Sequence, residues 1–384
     1  MSDRSHVPLV NAVVNPTYES DIRSTLKFCR LFLQLIGVWP LVRGYKSRLD
    51  SLVAVVLMFV CVFTLAFMLI PCIYYPFFYV TDLNVMIKTF GPVSYYISCI
   101  VKYGYIGLRG SEFGRCIKQI ETDWMSVDNR RHREIMLKNV IVARKLIMIC
   151  ATLLYGSCSV YHGILPTFSS SFVYNSSFRP VIYPGYHVFI DDQATPAYEI
   201  IYGMQFLYSL VSCSITSACC TLVVFFVTHA CGQIQIQIDR LDYLVADKLN
   251  RKGGKSNLLG IIVRDHVKEW KNRDMLAIGT YVGFIISFTF NMLILCYSRY
   301  TPYTWYMKRT ISEQGGKIGE ASYGIEWYNL SGKEGLELVL LIAISKYPPK
   351  LTGGKIFELS MDTFSNVLKS SVVYMNLCRA VTEW

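Results

Sequence analysis

The 384-residue chain is 53% apolar and 17% charged, with a net charge of +11, whereas soluble domains of this size carry about 25% charged residues. Its apolar residues come in blocks, the signature of membrane spans, and the longest polar stretches can hold helical extensions but not an independent catalytic core. The excess Lys and Arg lie in alternate loops, which points to membrane orientation and away from nucleic acid.

The first 49 residues hold Arg4, Arg23, Lys27, Arg30, Arg43, Lys46 and Arg48, so the amino terminus is expected in the cytoplasm. The first span is predicted over 51–75, with Pro71 expected to kink or end it near its outer end. No small-residue cleavage pattern follows this run, so it reads as a span and not as a removed leader. The second span is predicted over 85–108, with Lys88 and Lys102 close enough to its ends to snorkel. The next loop is basic again, from Arg109 through Arg130, Arg131 and Arg133 to Lys138. A third span is predicted over 140–165 and a fourth over 198–230. The outer loop between them is rich in Ser, Pro and Tyr, holds Arg179 as its single Lys or Arg, and contains the sequon Asn175-Ser-Ser. That sequon is usable for glycosylation if the loop is extracellular.

The stretch after the fourth span carries Arg240, Lys248, Arg251, Lys252, Arg264 and Lys271, and a fifth apolar block covers 277–297. Gly335–Ser345 reads as a helix too short to span. The topology then fails to close. Five spans from a cytoplasmic start lead outside, yet 298–355 carries Arg299, Lys308, Arg309, Lys317, Lys333, Lys346, Lys350 and Lys355, which belong inside. One span is therefore expected to be missing, with flanks near His266–Asp274. The last helix is predicted over 356–381. At about 100° per residue, Asp362, Asn366, Ser370, Val373, Leu377 and Val381 share one sector. Polar groups facing lipid lack partners, so this mixed face is expected to line a hydrated path or the bundle interior.

The cysteines and histidines are scattered. Cys61, Cys72, Cys99, Cys150, Cys158, Cys213, Cys219, Cys220, Cys296 and Cys378 fall in apolar blocks, where they act as small hydrophobes. No metal-ligand spacing is present, and no cofactor is expected.

Several motifs in order carry a resemblance: Leu35-Ile-Gly-Val-Trp-Pro40, Ile318-Gly-Glu-Ala-Ser-Tyr with Glu326-Trp-Tyr-Asn-Leu330, Leu351-Thr-Gly-Gly, and Phe364-Ser-Asn-Val-Leu-Lys-Ser-Ser371. Over nearly its whole length the chain resembles insect odorant receptors. The resemblance implies an all-α polytopic membrane bundle with a cytoplasmic amino terminus, of whose seven spans six are visible here. It implies a single domain over 1–384, with 298–355 as an intracellular assembly region in which Trp327 and Tyr328 are candidate anchors. The implied function is that of an odorant-tuning subunit of a ligand-gated cation channel in the plasma membrane of a sensory dendrite. Its partners would be a small volatile odorant and an obligate co-receptor within a heterotetramer, with no nucleic acid and no G protein. Pocket candidates in the outer halves of the second to fourth spans are Phe90, Tyr95, Tyr96, Tyr155, Tyr202 and Phe206; Tyr161, Met204 and Tyr208 lie in the same regions. Pore and gate candidates are Asn366, Ser370, Leu377 and Val381, the last two matching an apolar gate that blocks ions by dewetting. Asn175 is the candidate glycan site.

Rival classes fit less well. A G-protein-coupled receptor needs an external amino terminus, a secondary transporter needs internal repeats, and an enzyme needs a convergent catalytic constellation. A gustatory-type chemosensory channel is the nearest alternative, and Ser365–Ser371 favours the odorant branch. The missing span and the extra stretch Ser298–Thr310 also fit a non-functional, truncated or mis-spliced variant.

Overall fold

A computed structural model describes residues 15–44, 47–81, 83–127, 129–160, 185–250 and 332–345, the single positions 162, 179, 181 and 183, and the pairs 322–323, 352–353 and 357–358. The elements in chain order are α1 (Tyr18–Leu35), α2 (Trp39–Arg43), α3 (Arg48–Phe78), α4 (Leu83–Leu108), α5 (Gly110–Met125), α6 (Arg130–Ser159), a 3-10 turn (Tyr186–Val188), α7 (Ala197–Asn250), α8 (Gly332–Ser345) and the two-residue strands β1 (Thr352–Gly353) and β2 (Phe357–Glu358). The strands pair antiparallel, Thr352 with Glu358 and Gly353 with Phe357. Residues 357–358, expected inside the last helix, are therefore extended and paired. The expected spans at 277–297 and over the remainder of 356–381, the region 266–274, and Trp327 and Tyr328 lie outside the described residues.

Three of the described helices are long and apolar enough to cross a membrane: Arg48–Tyr75, Arg130–Ser159 and Ala197–Arg240. Their burial differs. In its most apolar stretch α7 is 78% buried, against 28% for α3 and 17% for α6. Among the described helices the fourth apolar block is thus the most enclosed. The exposed Leu52, Val56, Phe59 and Phe63 of α3 form the kind of surface that lipid accepts. At 54 residues, α7 is about 80 Å long, far more than a bilayer needs, so it continues well beyond the expected end at 230.

Two helices form where the sequence reads as polar loop. Along α1, Ile22, Leu26, Cys29 and Leu33 are buried; along α5, Phe113, Ile117, Ile120 and Trp124 are buried. Both sets repeat at helical spacing and pack a soluble-type core beneath the spans. Polar groups tie this layer together. Arg133 Nε and Nη2 donate to the Asp21 carboxylate at 2.7 and 2.8 Å, and Asn15 donates to Asp21 at 3.4 Å and to the Trp124 carbonyl at 3.3 Å. Burial alone would raise the Asp21 pKa, but the bonds from Arg133, Asn15 and Thr17 prevail and hold it below its ordinary value. His229 meets Asp123 at 3.1 Å, Asn139 donates to Gln235 at 2.9 Å, and Arg131 pairs with Asp239 at 2.6 Å.

The Leu35–Pro40 motif is a helix stop. Gly37 sits at φ 74°, its N–H reaches the Gln34 carbonyl at 3.0 Å, and the Val38 N–H reaches Leu33 at 2.9 Å. This double closure satisfies the last carbonyls of α1, and Pro40 then starts α2. Next to it, a Cβ on Gly114 would stand 2.2 Å from the Val42 carbonyl oxygen, so α5 meets α2 backbone to side-chain-free backbone.

Two expectations are corrected. Helix α3 neither ends nor breaks at Pro71 but runs on to Phe78. Proline has no N–H for the Phe67 carbonyl one turn back, and the Tyr186 hydroxyl donates to that carbonyl instead, at 3.1 Å. Lys102 does not snorkel. It is 1% exposed, and its ammonium lies 3.5 Å from Thr216 Oγ1 of α7. None of the described cysteines forms a disulfide, and all are buried except the half-buried Cys150 and Cys220. Burial pushes the Cys29 thiol up to about 12, which leaves it unreactive.

Candidate functional site

One end of the bundle, the outer end by the charge bias of the loops, holds an aromatic cluster built from α4, α7 and the loop before α7. The Tyr96 ring lies 4.7 Å from that of Tyr208 and 5.5 Å from that of Tyr183. Such offset and edge-on contacts suit aromatic quadrupoles. Tyr96 and Tyr208 are 1% and 0% exposed, and the hydroxyls of both are buried with no hydrogen-bond partner. The thiols of Cys72 and Cys99 lie beside them. Tyr95, partly buried, packs against the same core.

The outer loop closes over this cluster through specific bonds. Gln205 on α7 clamps the backbone of Tyr183, accepting from its N–H at 3.2 Å and donating to its carbonyl at 2.9 Å. Tyr202 donates to the His162 carbonyl at 2.6 Å, and the His162 ring lies 5.8 Å from Tyr183. Tyr186 stacks on Phe67 at 5.2 Å, and Gly185 at φ 119° brings the loop backbone against Pro71 and Tyr75 of α3, where a Cβ would stand 3.1 Å from the Pro71 carbonyl oxygen. Arg179 pairs with Glu199 at 3.0 Å and lies over the Tyr198 ring at 5.4 Å.

The sequence-predicted pocket residues thus separate into groups. Tyr95 and Tyr96 join the cluster. Tyr155 sits deeper and bonds Ser214 at 2.8 Å. Tyr202 bonds the carbonyl of His162, just past the end of α6. Phe206 is 37% exposed, one turn from Tyr202 and on a different side of α7 from the buried Gln205, Tyr208 and Ser209. The Phe90 side chain, Tyr161, Asn175 and the gate candidates Asn366, Ser370, Leu377 and Val381 lie outside the described residues. Sequence reasoning missed Tyr183, Gln205 and the buried Lys102. The abundance of Tyr in 166–197 was a signal for the first; nothing local marked the other two.

A helical bundle in which the most buried of the described helices is long and apolar enough to cross a membrane, with a loop-capped tyrosine cluster at one end, has the character of a polytopic membrane protein. A 7tm odorant receptor family model matches residues 82–300, more than half of the chain, and the protein belongs to that family. Odorant receptor 10 of Aedes albopictus is 22% identical over 221 residues, a match covering 50% of this chain and 58% of that relative. Less than two thirds of that receptor's length is therefore represented. The insect olfactory receptor OR5 from Machilis hrabei in complex with eugenol has a similar structure, with a TM-score of 0.72 at 14% identity over 95% of this chain and 100% of that one. The same receptor without that ligand gives 0.68 at 13% identity, covering 94% and 98%. At such identity the likeness establishes the all-helical fold.

Proposed function

We propose that this odorant receptor family member is the odorant-binding subunit of a ligand-gated cation channel, acting in the plasma membrane of a sensory neuron with a co-receptor in a heterotetramer. The single observation carrying this reading is the buried Tyr96–Tyr208–Tyr183 cluster with its two unbonded hydroxyls. Three aromatic faces receive a small apolar body, and two O–H groups with no partner stronger than the neighbouring Cys72 and Cys99 thiols offer donors to one acceptor atom. The ligand class is therefore a small volatile carrying a carbonyl, ether or hydroxyl oxygen. Tyr95, Tyr155, Tyr202, Phe206 and Phe90 complete or border this region. In the assembly, Leu377 and Val381 form the apolar gate and Asn366 and Ser370 the hydrated path below it. Asn175 carries a glycan on the outer loop, and 298–355 forms the intracellular contact between subunits.

The test is odorant-evoked cation current from cells expressing the chain with a co-receptor, beside a version with an apolar span restored near His266–Asp274. Current from either form supports the reading; none from both, with surface expression verified, overturns it. Current from the restored form alone favours a defective variant, for which the Lys-rich segment after the fifth apolar block is the specific argument. Tyr208→Phe should raise the half-effective concentration of oxygen-bearing odorants by about tenfold, one hydrogen bond's worth, and leave that of hydrocarbons unchanged.

A further inference from the structure

A cleft opens at the end of the bundle away from the tyrosine cluster, where α1, α5, α6 and α7 meet. It is narrow and partly open, and among its lining residues are Thr25, Trp124, Asn139, Arg144, Thr228 and His229. Two of its N–H donors are buried without an acceptor: Trp124 Nε1 and Arg144 Nε. Trp124 is 0% exposed. Arg144 gives its Nη2 to the Ser24 carbonyl at 2.7 Å and to the Ser24 hydroxyl. Among the described residues no carboxylate pairs with it: Asp21 is taken by Arg133 and Asp123 by His229. A guanidinium and an indole N–H left unmet inside one cleft call for an acceptor that carries negative charge.

The surroundings indicate where that acceptor comes from. On the outer side of α1, Arg23, Lys27 and Arg30 are exposed at helical spacing, and Leu31 and Leu35 expose 47% and 48% of their surface on the same helix. A basic, partly apolar helix beside the ends of membrane spans is suited to the boundary of an anionic leaflet. Arg144 lies on α6 fourteen residues past Arg130, near the predicted start of the third span at 140, which sets the cleft at headgroup depth.

We propose that this cleft binds the phosphate-bearing headgroup of an anionic phospholipid of the cytoplasmic leaflet, with Arg144 and Trp124 as its donors and the α1 cations drawing the lipid in. The inference uses the inward orientation of α1 and is independent of the odorant reading, because its test needs no channel current. Purified full-length protein in detergent is titrated with a fluorescent short-chain phosphatidylinositol bisphosphate, with short-chain phosphatidylcholine and inorganic phosphate as competitors. Saturable binding is expected, weakened at least about tenfold by Arg144→Gln, partly rescued by Arg144→Lys, and weakened by Trp124→Phe, which keeps the ring and removes the donor. Melting temperature confirms that each variant is folded, and Thr25→Val supplies a milder change in the same cleft if Trp124→Phe unfolds. Competition by inorganic phosphate equal to that of the lipid would overturn the lipid assignment. Binding unaffected by Arg144→Gln but abolished by the triple change Arg23→Gln, Lys27→Gln, Arg30→Gln would overturn the cleft, leaving only surface attraction.

Discussion

Tyr186→Phe takes away one hydroxyl and leaves the Phe67 carbonyl, opposite a proline with no N–H, without its donor. A buried acceptor stripped of its partner costs about 1–3 kcal/mol. The variant should melt lower by several degrees in detergent, while Tyr96→Phe, which removes a hydroxyl that has no partner, should match or exceed the parent. Asp21 provides a pH signature. Its folded pKa is depressed, so the stability it contributes is complete above the ordinary carboxylate value of about 3.9. That stability is lost as pH falls through the lower folded value. Melting temperatures followed from pH 6 downward should fall more steeply for the parent than for Asp21→Asn, which starts lower and lacks this titration. Lys102→Met should be tolerated in stability, since exchanging a buried charge for an apolar side chain of similar length is often neutral or favourable.

At the scale of elements, the close approach of α5 to α2 makes Gly114 the described glycine least able to accept a side chain. Gly114→Ala drives a methyl to 2.2 Å from the Val42 oxygen, so the helices must part, at a cost of about 1–3 kcal/mol. Reduced yield of monodisperse protein and a lower melting temperature are expected, with Gly104→Ala, where no atom lies within 4 Å, as the neutral control. Spans were legible in the sequence because lipid demands uninterrupted apolar blocks, and α3, α6 and α7 contain those blocks. Helices α1 and α5 were not, since their apolar residues are diluted among charges. The spacing Phe113, Ile117, Ile120, Trp124 was nevertheless present to be read. The candidate site was legible in part for a similar reason. Tyr95 and Tyr96 sit within an apolar block read from the sequence as a span, whereas Tyr183 reaches the cluster through a loop whose path depends on Gln205, and the burial of Lys102 depends on Thr216 more than a hundred residues away. Such tertiary partners leave no local trace.

For the whole molecule, charge bias assigns each loop a side, and glycans report it directly. Asn175 should be modified in cells and shifted by glycosidase treatment on a gel. Asn329-Leu-Ser should remain bare if the segment around it is cytoplasmic; a glycan there would mean that the carboxy-terminal third is inverted. Restoring a span between 231 and 277 should exchange one pattern for the other.

Helix α7 runs without interruption from the tyrosine cluster to the polar layer formed with α1, α5 and α6. Tyr208 and Asp239 stand on the same rod, about 47 Å apart along its axis. Over that distance a tilt of one degree displaces the far end by about 0.8 Å, enough to loosen the contact between Arg131 and Asp239. Under the proposed function, a molecule lodged among the rings would have a lever already in hand, and no relay of separate side-chain movements would be needed to carry its arrival across the membrane.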